Sequence, residues 1–273
     1  MTVALIDNGS IEPAAQLNLR AVAATLSERA GVTVHAVSWK HSDRVPAAAI
    51  GGQRAWTLAP WIRAQLAQGE REFVFVPFFI SAQGAIGSAL REDLEQLRRT
   101  AGDFVFTFTG GLASREALAG IVADRARETI AAHALRQPSI IVLDHGGPSL
   151  TSAALRDTVA AQVRTLLGTA IGRLAAASME GEAHAHNRPL LAELLAMPDF
   201  DHGEVLVAPV FLSPGRHAGP KGDIARLCRA AEQRSPGLHC HIGELVGNHP
   251  RTTAALVDAL HETLAYLPFQ IPV

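Results

Sequence analysis

Apolar residues along this chain fall in short continuous runs, and between the runs they recur at helical spacing. Residues 3–7, 32–38, 72–80 and 103–109 are runs rich in Val, Ile, Leu and Phe. Runs of that length bounded by polar or turn-forming residues fit strands of a parallel sheet covered on both faces. Between them lie stripes three or four residues apart: Trp61, Ile62 and Leu66; Leu90, Leu94 and Leu97; Leu118, Val122, Ala126 and Ile130. Each stripe predicts a helix with one buried face. A further helix follows the first strand, with Ser10 placed to cap it and Pro13 in its first turn.

From Pro138 the same order starts again. Strands are predicted at 139–144, 171–178, 204–212 and 239–245. Helices are predicted with Leu155, Val159, Val163 and Leu166 on one face, from Pro189 to Met197, from Asp223 onward, and from Pro250 with Leu256, Leu260 and Leu264. Residues 3–10 echo 140–147, and 76–81 echo 208–213. Strictly alternating strands and helices imply parallel sheets with right-handed crossovers. The expected architecture is therefore α/β, two tandem domains, each a small parallel sheet flanked by helices, with a cleft between them. The sequence repeat divides the chain into 1–136 and 137–273, with the linker near Arg136 to Pro138. Pro77 and Pro209 fall inside predicted strands. Proline removes a ladder donor, so either a bulge or a shorter strand is required there.

With 273 residues, the chain can bury roughly three-quarters of its unfolded surface without staples. Apolar residues are 48% and charged residues 18%, as in ordinary globular proteins. A net charge of -2 excludes a broad nucleic-acid footprint. No basic leader and no eighteen-residue apolar stretch is present, which makes a cytoplasmic protein the expectation. Cys228 and Cys240 lack the spacing of a zinc knuckle or a disulfide framework. Cys228 falls on the apolar stripe of a helix and reads as core.

Two predicted strands end in a histidine. His145 follows the strand at 139–144, and His217 stands in the loop after the strand at 204–212. Ligands of open α/β sheets gather beyond the carboxyl ends of strands. Two imidazoles at neighbouring strand tips would converge on a site for a divalent metal. In the first half Asn8 stands where His145 does and Ala85 falls about where His217 does. Of 12 histidines only His35, His41 and His133 precede the linker. One metal centre is expected, in the second half.

Leu143, Asp144, His145 and Gly146, together with the run Val207 to Ile224, carry a resemblance to the class II chelatases of the CbiX and SirB type. The tandem layout resembles their long, two-domain members. The resemblance implies insertion of a divalent metal, iron favoured and cobalt next, into sirohydrochlorin, in siroheme or cobalamin biosynthesis. It implies no organic cofactor, the metal being a substrate. The family's metal-binding histidines fall on His145 and His217, and its carboxylate on Glu180, with Glu182 a second candidate. Two departures stand out: the loop between His217 and Asp223 is longer than in the short motif, and the first half lacks the histidines. Short members pair as dimers, so a tandem chain is expected to be a monomer.

Two neutral imidazoles and one carboxylate leave coordination positions open, so a metal can be held and then released. An imidazole can also accept a proton from the ring. On this reading His145, His217 and Glu180 bind metal and take part in catalysis. Arg216, Lys221, Arg188 and His249 are candidates to bind the macrocycle's carboxylates, since arginine pairs with carboxylate through two parallel hydrogen bonds. Glu182, His184 and His186 are candidates for an accessory metal-gathering role, against a reading as a polar loop. Phe78, Phe79 and Phe211 border the cleft or pack in the core, and His239 and His241 share one strand face. The competing functions are a non-catalytic metal or tetrapyrrole carrier, and a metal-dependent hydrolase, for which no H-E-x-x-H pattern is present.

Overall fold

The structure, a computed structural model, describes residues 1–80, 85–112, 117–219 and 221–266, with 85–87 described by backbone alone. Ser81, the last residue of the first-half echo, and Pro220, in the His217 loop, lie outside the described residues. Among the described residues no helix is long and apolar enough to cross a membrane.

The predicted alternation is present. Strands β1 (Thr2–Asp7), β2 (Val34–Ser38), β3 (Glu72–Pro77) and β4 (Val105–Phe108) form one parallel sheet in the order β2-β1-β3-β4. Strands β5 (Ser139–Asp144), β6 (Leu174–Ser178), β7 (Gly203–Pro209) and β8 (Leu238–Ile242) form a second in the order β6-β5-β7-β8. Helices α1 (Pro13–Ala30), α2 (Leu58–Ala67), α3 (Ala85–Ala101) and α4 (Ala117–Ala132) alternate with the first four strands. Helices α5 (Leu150–Leu167), α6 (Leu191–Leu194), α7 (Asp223–Arg234) and α8 (Pro250–Tyr266) alternate with the second four. The central strands are the most apolar, as burial on both faces demands: Ile140 to Leu143 and Val205 to Val207 are fully buried.

Compact packing cuts the chain elsewhere than the sequence repeat does. One unit comprises Met1–Arg115 with Pro250–Val273, the other Glu116–His249. Helix α4 follows β4 in the chain but packs on β7 and α5, while α8 follows β8 but packs on α1 and β3. The cause is that an apolar stripe such as Leu118, Val122 and Ala126 requires a sheet to cover it but does not say which.

The proline question resolves as shorter strands. Pro77 and Pro209 are the last residues of β3 and β7, paired in register with Ile6 and Leu143. The lost donor falls on the side of β4 and β8, while Phe78 and Val210 N–H still donate to Ile6 O and Leu143 O (2.8 Å each). The predicted helix 189–197 is a single turn, α6. After the Leu195 N–H to Leu191 O bond, Ala196 and Met197 N–H turn to the carbonyls three residues back, and Pro198 has no N–H with which to resume the helix. Cys228 is buried in the core as expected, and both cysteines are free.

Candidate metal centre

The site stands at the carboxyl ends of β5, β6 and β7. Beyond β5 and β6 the two chains stay laced together: Met179 N–H donates to Asp144 O (3.0 Å) and Glu180 N–H to His145 O (3.1 Å). Gly146 makes this approach possible. Its φ is +84°, and a Cβ there would lie 2.1 Å from the Glu180 carbonyl oxygen. His145 and Glu180 thus leave their strand tips side by side, with His145 Nε2 3.7 Å from Glu180 Oε1.

His217 arrives from the loop after β7. That loop folds back on the start of α7, with Ile224 N–H donating to His217 O (3.1 Å) and Asp223 N–H to Arg216 O (3.2 Å). The His217 ring meets that of His145 edge-on, centroids 4.8 Å apart. One ligand atom each from His145, Glu180 and His217 lies within 4.8 Å of the others, and among the described residues no other group of three His, Cys, Asp or Glu does so. The geometry therefore brings the three expected ligands together.

Two carboxylates lie behind the triad, and one of them, Asp223, orients a ligand directly. Asp223 Oδ2 accepts from His217 Nδ1 at 2.8 Å, which leaves Nε2 free toward the triad. A carboxylate on the far nitrogen fixes the tautomer and raises the basicity of a ligating imidazole. Asp144, next to His145, accepts from the Ser178 hydroxyl. Burial pushes its carboxyl above the usual range, while Ser178 and then the Arg156 guanidinium pull it back down. Arg156 is 4% exposed, with Nη1 3.8 Å from Asp144 and donating to Ser178 Oγ at 2.6 Å. Sequence pattern did not single out Arg156, because an arginine one residue after Leu155 on a helix reads as a surface position. The Asp223 signal was present in the motif itself.

The other expected residues are placed as follows. Arg216 is exposed, 3.5 Å from Asp223, and Lys221 is exposed. Arg188 is paired with Glu193. His249 does not stand open to a ligand: it is 6% exposed, its Nε2 3.9 Å from Glu128, because the loop after β8 tucks it inward at the start of α8. Glu182 is exposed and outside the triad. His184 and His186 stack on each other, centroids 5.3 Å apart, and His186 Nε2 donates to Gly147 O at 2.9 Å. Phe78 and Phe79 are buried core, whereas Phe211 is half-buried with its ring 6.3 Å from that of His145. His239 is exposed, and His241 bonds Glu204 at 2.6 Å beside the His133 ring.

The corresponding strand tips of the first sheet have the same backbone and opposite chemistry. Trp39 N–H donates to Asp7 O and Lys40 N–H to Asn8 O, so Asn8 stands for His145 and Lys40 for Glu180. Gly9 repeats Gly146, with φ +88°. The Lys40 ammonium lies 3.9 Å from the Trp39 ring centroid and 3.5 Å from Asp93. A lysine in place of the carboxylate repels a cation.

Comparison with known proteins bears on the fold and on the sequence pattern of the second half. The family model for CbiX matches residues 140–263. Among solved structures, SirB from Bacillus subtilis with Fe3+ is similar over 99% of this chain and 98% of its own, with TM-score 0.67 and 14% identity. SirB from B. subtilis subspecies spizizenii in complex with cobalt gives TM-score 0.69 at 14% identity, with coverage of 99% and 98%. CbiX, described as the terminal enzyme for biosynthesis of siroheme in denitrifying bacteria, gives TM-score 0.62 at 16% identity, covering 96% and 99%. No curated protein sequence matches the chain. At these identities the likeness to the solved structures is one of fold. Residues 140–263 thus carry the sequence pattern of the CbiX family of class II chelatases, and the chain shares its fold along its length with the SirB and CbiX structures.

Proposed function

We propose that this protein is a sirohydrochlorin chelatase that inserts a divalent metal, ferrous ion foremost and cobaltous ion next, into its macrocycle. The observation that carries the reading is the triad: two imidazoles and a carboxylate at three neighbouring strand ends. The class of reaction is supported by the match of residues 140–263 to the CbiX family model, and both iron and cobalt occur in the SirB structures of the same fold. The second repeat, 137–273, supplies all three ligands, and the first acts as scaffold. The protein acts as a monomer, so its mass by light scattering is that of one chain at every concentration; a concentration-independent dimer contradicts this.

His145 and His217 bind the incoming ion through Nε2 and Glu180 through a carboxylate oxygen. Three protein ligands leave positions open for the macrocycle nitrogens, and as these take over the metal the ligands let go. Each insertion displaces two N–H protons from the ring. His217, held in one tautomer by the Asp223 carboxylate on Nδ1, takes one at Nε2 as the metal leaves it, and the other passes to solvent water. Arg216 and Lys221, exposed beside His217, meet carboxylates of the substrate.

The test is to mix protein, sirohydrochlorin and Fe2+ or Co2+ and follow the absorbance of the metallated product. Wild type is expected to exceed the metal-alone rate, and a His145→Ala, His217→Ala variant to fall back to it. Equal rates for wild type, variant and metal alone overturn the enzyme reading. Tight binding of both substrates without turnover replaces it with a carrier.

A further inference from the structure

We propose that Asn187 is the positioning residue that sets the spacing of the metal-binding triad; this rests on the chelatase reading and adds to it a residue outside the coordination sphere. Asn187 is 1% exposed, at the end of a short 3-10 turn, Ala185–Asn187, beyond β6. Its side-chain Nδ2 donates to Gly147 O (3.0 Å) and to Gly181 O (3.0 Å), and its Oδ1 accepts from Gly147 N–H (3.3 Å). Gly147 lies two residues after His145, and Gly181 directly follows Glu180. One planar amide therefore bonds both ligand-bearing loops. The backbone bond from Glu180 to His145 holds these loops together on the sheet side, and Asn187 closes the far side.

The surroundings are built around that amide. A Cβ on residue 181 would lie 2.2 Å from Asn187 Nδ2, so only glycine admits it. Arg156 Nη1 and Nη2 donate to the carbonyls of Asn187 (3.4 Å) and His186 (3.1 Å), which anchors the turn to α5. The His186 imidazole bonds the same Gly147 carbonyl (2.9 Å). Loops otherwise free to splay are thus held to fixed places, which is what a ligand set needs to bind at full strength.

The first sheet supplies a natural comparison. There Ser38 N–H donates to Trp56 O as Ser178 N–H donates to Pro189 O, so Arg54 occupies the place of Asn187. Arg54 is exposed and stacks on Trp56 at 3.8 Å, clamping nothing of this kind. The clamp occurs where the ligands occur.

The experiment is a Co2+ titration followed by visible absorption, on wild type, Asn187→Ala, Glu180→Ala, the double variant, and the His145→Ala, His217→Ala variant. Asn187→Ala is expected to keep its far-UV circular dichroism and to bind Co2+ about ten- to a hundredfold more weakly, with the spectrum of Glu180→Ala. The double variant is expected to lose less than the two single losses added together, because once Glu180 is absent the clamp has only the His145 loop left to place. Where Asn187→Ala fails to fold, Asn187→Asp keeps the shape and the acceptor for Gly147 N–H but loses both donors, and the same loss is expected. Binding by Asn187→Ala equal to wild type, or losses that add in full in the double variant, overturns the clamp. If only the histidine variant loses binding, the triad stands and the clamp falls; if wild type binds no Co2+, both fall.

Discussion

Asp7 is a buried carboxyl whose ionisation the fold opposes, and its pH dependence can be worked out in advance. The residue ends β1, is 7% exposed, and its Oδ1 has no hydrogen-bond partner. Its counterpart Asp144 has the Arg156 guanidinium 3.8 Å away, whereas on α1 the neutral Gln16 reaches Ser38 instead. Burial therefore pushes the Asp7 carboxyl from 3.8 up to about 6, against smaller lowering by the Ser38 hydroxyl and the Gly9 backbone. The folded chain holds this proton more tightly than the unfolded chain. Asp7's contribution to stability is thus fully present below pH 3.8 and is lost as pH rises through 6. About two pKa units correspond to about 3 kcal/mol. In Asp7→Asn this slope is absent, so the stability of the variant minus that of wild type rises by about 2.5 kcal/mol from pH 4 to pH 7.5, part of the full term being already lost at pH 4. An offset from the new amide does not change with pH, and the other carboxyls cancel in the difference. Urea unfolding followed by tryptophan fluorescence reads the correct unit, since Trp39, Trp56 and Trp61 all lie in it and are the chain's only tryptophans. A difference that stays flat across this range refutes the argument.

Two further outcomes test the architecture of the site. In Gly146→Ala the new Cβ must displace the Glu180 carbonyl and adopt a positive φ, so stability falls by at least about 1 kcal/mol and Co2+ affinity at least about tenfold. Gly9→Ala, whose Cβ meets the Lys40 carbonyl, loses stability similarly but keeps its Co2+ affinity; calorimetry and metal titration of the pair check both. Asp223→Asn releases the His217 tautomer and weakens Co2+ binding about ten- to a hundredfold, measured by isothermal titration.

The parts of this account that depend on local pattern were legible in the sequence. Continuous apolar runs such as 140–143 and 205–208 marked the buried strands, and the residues just beyond them carried His145 and His217. The partners of those residues were not legible, because they come from distant turns. Arg156 is a buried cation only because Asp144, Ser178 and the carbonyls of 186 and 187 surround it in space. Asn187 read as part of a polar loop with His184 and His186, and its meaning lies in two glycines on other segments. The exchange of α4 and α8 between compact units was hidden for the same reason: periodicity gives a helix its buried face but not its partner. His249 looked like a loop residue open to substrate, and the packing of the segment before α8 buried it.

On the proposed function His145, Glu180 and His217 hold one divalent ion together. X-ray absorption of the cobalt-loaded protein tests it most directly. The expected first shell has two imidazole nitrogens and a carboxylate oxygen at roughly 2.0–2.2 Å, completed by water, and the imidazole scattering is lost in the His145→Ala, His217→Ala variant. A shell of oxygen atoms alone, or an imidazole signal that survives in that variant, contradicts it.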